Sequence, residues 1–78
     1  MTDKATALRH WVAGLHEQPV DIGADTDLIR SGLLTSLQFV QMVIEIERLH
    51  GRKLDPAVIT IESMRSLNAI DKTVFQAA

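Results

Sequence analysis

Thr35-Ser36-Leu37-Gln38-Phe39-Val40-Gln41-Met42-Val43-Ile44-Glu45-Ile46-Glu47-Arg48-Leu49-His50-Gly51 is the stretch whose reading decides the fold. Both of its ends carry helix signals. Thr35 followed three residues later by Gln38 fits the capping box, with Thr35 as N-cap and Gln38 reaching back. Gly51 is a suitable left-handed residue just past the end, and Arg48 lies in the last turn where the helix dipole favours a cation. The spacing predicts a helix from Ser36 to about Leu49. At about 100° per residue, Phe39, Met42, Val43, Ile46 and Leu49 fall within an arc of roughly 120°, which makes a core stripe. Gln38, Gln41, Glu45 and Arg48 form the opposite, solvated face. Leu37, Val40 and Ile44 belong to neither group; with Ser36 at the helix start they make a second apolar stripe.

Upstream, residues 17–35 form a long connection punctuated by Pro19, Gly23 and Gly32, with Asp21, Asp25 and Asp27 favouring turns. A structureless loop longer than about 12–15 residues is unusual in a compact domain and is often functional when real. Val20, Ile22, Leu28, Ile29, Leu33 and Leu34 should pin it across the helices, with a short helical turn near Asp27 to Arg30. Before it, Leu8, Trp11, Val12 and Leu15 share one face of a helix expected from about Asp3 to His16, capped by Thr2 or Asp3. Trp11 reads as core on that register.

Downstream of Gly51, Val58-Ile59-Thr60-Ile61 could pass for a short strand, but a lone strand has no partner. An irregular stretch leading to a short helix around Ile61 to Met64 is the better reading. Ser66 then caps a final helix with Leu67, Ile70 and Val74 in register. The fold class is therefore all-α, a small bundle of three main helices plus a short fourth, with a long loop between the first and second.

Seventy-eight residues allow one domain, spanning 1–78, and no cysteine means no disulfide, thiolate metal site or cysteine nucleophile. Packing must supply the stability, although a chain this short buries only about 60% of its unfolded surface. An apolar fraction of 46% and a charged fraction of 23% are those of a folded globule. Eight Lys plus Arg against ten Asp plus Glu give a net charge of −2. That excludes a strongly basic nucleic-acid binder and leaves no polybasic membrane patch. No targeting segment or membrane span is visible, so a cytoplasmic monomer is expected. His10, His16 and His50 lack compact metal-ligand spacing, and there is neither a Gly-rich phosphate loop nor a Gly-x-Ser-x-Gly elbow. Glu45 and Glu47, two apart on a helix, point away from each other. A self-contained active site is not expected, and the chain reads as no enzyme.

Two features remain. The stripe of Leu37, Val40 and Ile44 is either covered by the long loop, above all at Leu37, or is a docking face for partner proteins. Ser36 is either a helix-start residue or, with Thr35 already capping, a free hydroxyl at the first helical position. A phosphate ester on that oxygen would lie beside unpaired backbone N–H groups and the positive end of the helix dipole.

Asp27-Leu28-Ile29-Arg30-Ser31-Gly32-Leu33-Leu34-Thr35-Ser36-Leu37 resembles the attachment motif of acyl and peptidyl carrier proteins, in which an Asp-Ser-Leu triplet follows a Gly-Leu-Leu lead-in. Val43-Ile44-Glu45-Ile46-Glu47 with His50-Gly51, and the segment from Ile61 to Ile70, are similar to the later parts of that family. The order, spacing and length together carry the resemblance, which covers essentially the whole chain. It implies an acyl-carrier-like bundle whose Ser36 bears a 4′-phosphopantetheine arm, transferred from coenzyme A by a phosphopantetheinyl transferase. The Ser36 oxygen would attack a Mg²⁺-bound pyrophosphate. The arm's thiol would hold an acyl or aminoacyl thioester, loaded by an adenylate-forming ligase or acyltransferase and passed to downstream synthase modules of natural-product biosynthesis. Thr35, Leu37, Val40 and Ile44 would be the partner docking residues. Thr35 stands where the family usually has aspartate, which bears on which transferase recognises the site. Gln38 and Gln41 stand where fatty-acid carriers usually show acids, and His50 replaces an aromatic. The reading from a different class is a non-catalytic helical interaction module in which Ser36 merely starts a helix.

Overall fold

Thr2 opens the first helix of the computed structural model, which describes residues 2–76: its hydroxyl accepts the Ala5 N–H at 3.2 Å. Helix α1 (Asp3–Ala13) turns Ala5, Leu8 and Val12 fully inward, while Trp11 packs half-buried against the core. It stops three residues short of the expected His16. Leu15 and His16 bond back to Val12 and Ala13, at 3.1 and 3.2 Å, so the chain tightens into i→i−3 turns at Gly14. Gly14 is a poor helix former, and Pro19 cannot prolong the α ladder. Leu15 still packs on the core from its turn.

The long connection is part of the core. Ile22, Leu28 and Leu34 are buried, and Val20 and Leu33 pack against them. Three backbone or side-chain ties fix its course: Asn68 N–H to Ala24 O at 2.8 Å, Asn68 Nδ2 to Asp25 Oδ1 at 3.0 Å, and Leu28 N–H to Arg65 O at 2.6 Å. The expected turn at Asp27 is present, its carboxylate accepting the N–H groups of Ile29 at 3.0 Å and Arg30 at 2.8 Å. The Arg30 N–H lowers the Asp27 pKa below its usual value against desolvation, with help from the Ile29 N–H and the charges of Arg30 and Arg65.

Helix α2 (Ser36–His50) runs one residue beyond the expected end and packs on α1. Both halves of the capping box form: Gln38 N–H to Thr35 Oγ1 at 3.1 Å and Thr35 N–H to Gln38 Oε1 at 2.9 Å. Gly51 closes the helix with φ 86°, its N–H on Glu47 O. Met42 and Ile46 are fully buried, and Phe39, Val43 and Leu49 are half-buried on the same side. Glu45 departs from the solvated-face reading: its side chain is only 14% exposed because Arg48, one turn on, lies over it in an ion pair. His50 is half-buried, with Arg52 Nε donating to its Nε2 at 3.1 Å and its ring tilted against Phe75.

After Gly51 the reading of an irregular stretch missed a single 3₁₀ turn at Pro56–Val58, capped by the Asp55 carboxylate on Ala57 N–H at 2.9 Å. Helix α3 (Ile61–Met64) follows where it was expected, with Thr60 as its cap. Ser66 caps α4 (Leu67–Ile70), accepting the Ala69 N–H at 3.1 Å. The final helix is not one continuous α-helix. From Asp71 to Phe75 it widens into a π turn, closed by Gln76 N–H to Asp71 O at 2.7 Å. Leu67, Ile70 and Val74 are nevertheless all buried, as their register predicts. Helix α1 packs on α4 as well as α2, which completes the bundle. Among the described residues there is no strand, and no helix is long and apolar enough to cross a membrane.

The wide turn begins at Asp71, a carboxylate only 1% exposed. It accepts the Thr2 hydroxyl at 2.6 Å and the Thr2 N–H at 3.3 Å, and a further bond from the Gln76 amide. Burial pushes its pKa up, but the Thr2 and Gln76 hydrogen bonds outweigh burial and leave it below the usual value. A carboxyl lowered in the folded state stabilises fully above its unfolded pKa of about 4 and loses that contribution as pH falls through the folded value. Asp71→Asn should therefore cost about 1–3 kcal/mol at neutral pH, since the amide would set its NH₂ against that of Gln76. Below about pH 4 the difference from wild type should shrink, as read by urea unfolding at a series of pH values.

Candidate functional site

Ser36 is the first residue of α2, directly after the N-cap, and it is exposed. Because Thr35 and Gln38 satisfy each other, the Ser36 hydroxyl is not consumed by capping and makes no hydrogen bond among the described residues. The first bond of the helical ladder comes from Phe39 N–H to Thr35 O, at 2.8 Å. The N–H groups of Ser36 and Leu37 lie ahead of it and are open to an external acceptor. An exposed primary alcohol beside two free donors, at the positive end of a 15-residue helix, suits a phosphate ester.

The surroundings of Ser36 are apolar. A surface cavity of about 280 Å³ lies beside it, lined by Ile29, Leu34, Thr35, Ser36, Phe39 and Ile61. On the outer side, Leu37, Val40 and Ile44 are 68%, 55% and 61% exposed. The loop does not fold over them, Leu37 included, so the second stripe of α2 is an open face. Ile61 is 68% exposed as well, and the sequence reading assigned it no role at the site. Its only local signal was an apolar residue at the first position of a helix capped by Thr60, a place that usually faces solvent. What brings it to Ser36 is tertiary: the Leu28–Arg65 bond holds the segment that carries α3 against the loop.

The other groups do not gather here. His10 is exposed and solitary, His50 stands at the far end of α2, and His16 bonds to a backbone carbonyl. Among the described residues no three of His, Asp and Glu are placed to hold a metal ion. Glu45 is taken by Arg48, and Glu47 accepts the Leu54 N–H at 2.9 Å. Among the described residues, those lining the cavity beside Ser36 include no Asp, Glu, His, Lys or Arg, so what surrounds the hydroxyl there is contact surface.

A family model described as phosphopantetheine attachment site matches residues 7–70. The chain belongs to that family. Its group is 4′-phosphopantetheine, held covalently. A comparison with curated proteins finds no match. Among solved structures, a chain in the crystal structure of Bradyrhizobium japonicum glycine:[carrier protein] ligase complexed with glycylated carrier protein superposes with a TM-score of 0.82. The identity is 19%, and the alignment covers 94% of this chain and 100% of the other, which confirms the carrier-protein fold.

In this phosphopantetheine carrier, Thr35 serves the helix start through one oxygen acceptor, which aspartate would also supply. Thr35→Asp should hold the stability of α2 to within a few tenths of a kcal/mol, whereas Thr35→Ala should lose about 1 kcal/mol. Urea unfolding of the two variants at neutral pH checks this.

Proposed function

We propose that Ser36 carries the 4′-phosphopantetheine arm and that the protein shuttles an aminoacyl or small acyl group on it, as a thioester, between partner enzymes. The observation that carries this reading is the free, exposed hydroxyl of Ser36 at the start of α2, within a chain of the attachment-site family. A phosphopantetheinyl transferase supplies the missing acid–base groups. The Ser36 oxygen forms a bond to the 4′-phosphate, the pyrophosphate bond of coenzyme A breaks, adenosine 3′,5′-bisphosphate leaves, and the hydroxyl proton passes to a base on the transferase.

An adenylate-forming ligase then loads the thiol. The likeness to a carrier solved with a glycine ligase supports an aminoacyl cargo. Downstream synthase modules, in natural-product assembly, take the cargo on, and the carrier itself catalyses none of these steps. Leu37, Val40 and Ile44, joined by Ile61 across the cavity, are the face the partners grip, with Thr35 at its edge. Large exposed apolar residues grouped around one attachment point are the pattern of an interaction site.

Incubation with coenzyme A, Mg²⁺ and a promiscuous transferase should add the mass of one phosphopantetheine to the wild type and nothing to Ser36→Ala. No gain with several transferases sinks the carrier reading and leaves the interaction module; a gain that survives Ser36→Ala moves the arm to another residue. Val40→Asp and Ile44→Asp should each slow loading by the cognate ligase about tenfold with unchanged helical circular dichroism, the size expected for a contact residue worth more than 1 kcal/mol. Unchanged loading kinetics would make the stripe merely exposed. With a net charge of −2, loading should also depend only weakly on ionic strength.

A further inference from the structure

His16 is half-buried outside the core, and its ring nitrogen Nε2 lies 2.9 Å from the carbonyl oxygen of Leu33. A carbonyl only accepts, so Nε2 carries the proton and donates. The two residues are 17 apart in sequence. The bond thus joins the turn after α1 to the chain two residues before the Thr35 cap.

The other edge of that same peptide unit is also held. Leu34 N–H, which shares the Leu33–Leu34 peptide plane, donates to Leu28 O at 3.0 Å. A planar trans peptide whose carbonyl and N–H are both bonded cannot rotate about the neighbouring single bonds without breaking one of them. This plane needs such a clamp. It follows Gly32, whose φ of 79° is the left-handed conformation that glycine adopts without strain, and it leads directly into Thr35 and Ser36. The remaining loop ties, at Ala24, Asp25 and Leu28, attach to Arg65 and Asn68 and hold the loop's middle. At the Ser36 end, Ser31 Oγ accepts the Leu33 N–H at 3.4 Å and Gln38 Oε1 the Thr35 N–H at 2.9 Å, both within three residues; among the described residues, the side chain that ties this end to a distant segment is that of His16. Leu34 is buried there, but an apolar side chain in a core fixes position more than the direction of its peptide plane.

We infer that His16 is a positioning residue: through the Leu33 carbonyl it sets the direction in which the chain enters α2, and so the orientation in which the Ser36 hydroxyl is offered to the transferase. The inference rests on the carrier reading for its kinetic consequence and on the hydrogen bond alone for its structural one. A bond of this kind is worth about 0.5–1.5 kcal/mol, or roughly a 2- to 12-fold effect if it is realised in the transfer step.

The test compares wild type, His16→Ala and His16→Gln, whose terminal amide can replace Nε2–H, with Val74→Ala as a destabilised control remote from Ser36. Two readouts are taken: kcat/KM for arm transfer from coenzyme A, and amide hydrogen exchange at Leu34. His16→Ala should lower kcat/KM about fivefold, chiefly in kcat, and speed exchange at Leu34, while His16→Gln recovers most of both. Val74→Ala should leave kcat/KM near wild type. Wild-type kinetics in His16→Ala, an equal loss in Val74→Ala, or no rescue by His16→Gln overturns the positioning role. If the wild type accepts no arm, the carrier reading falls, and exchange at Leu34 alone then decides the clamp: unchanged protection in His16→Ala overturns it.

Discussion

Burial of Ile22, Leu28 and Leu34 is the constraint on which the rest of the structure depends. These are loop residues, yet they belong to the same core cluster as the inward residues of α1, α2, α3 and α4. A fully buried leucine or isoleucine stabilises by about 1.5–3 kcal/mol, and a domain of this size has a net stability of only several kcal/mol. Losing any one of the three would therefore threaten the fold as a whole. The connection between α1 and α2 is for that reason a structural layer, and its rigidity is what makes the start of α2 a defined place.

From that follows the division of α2 into two apolar faces. Met42 and Ile46 point into the bundle and are fully buried, so the helix cannot turn Leu37, Val40 and Ile44 inward without exposing them. The loop could have shielded the second face, but Val20, Ile22, Leu28, Leu33 and Leu34 are spent inside, and Ile29 lines the cavity beside Ser36. The open face, and Ser36 at its upper end, are thus consequences of how the core is filled. A small domain that must use its loop as core has nothing left to cover the helix.

Much of this was legible because the signals were local. The Thr35–Gln38 box, Gly51 and Ser66 before α4 are contacts within four residues, and periodicity shows the stripes directly. What escaped the sequence was tertiary or depended on competition between neighbours. Leu15 continues the α1 register, so periodicity alone ran the helix to His16, whereas Gly14 and Pro19 end it sooner. Asp71 carried no signal in the sequence because its partner, Thr2, lies 69 positions away. Glu45 looked solvated until Arg48 lay over it. Ile61 joined the site through a loop–helix bond that no spacing rule contains. At the site, the serine and the stripe beside it were readable, while the cavity between α2 and α3 was not.

The absence of cysteine acquires a positive meaning once Ser36 bears the arm. The arm ends in a thiol tethered to the domain, and a short flexible tether holds its end near the surface at an effective concentration in the millimolar range. Any surface cysteine would then face that thiol as an intramolecular competitor. It could take the acyl group by thioester exchange, or close a disulfide under oxidising conditions, since the attacking species is a thiolate and the encounter costs little entropy. Serine and threonine, the hydroxyl residues that stand near the site in this chain, are far weaker nucleophiles at neutral pH. If Ser36 bears the arm, the imported thiol meets no cysteine among these 78 residues, and the domain itself offers the cargo no competing thiol.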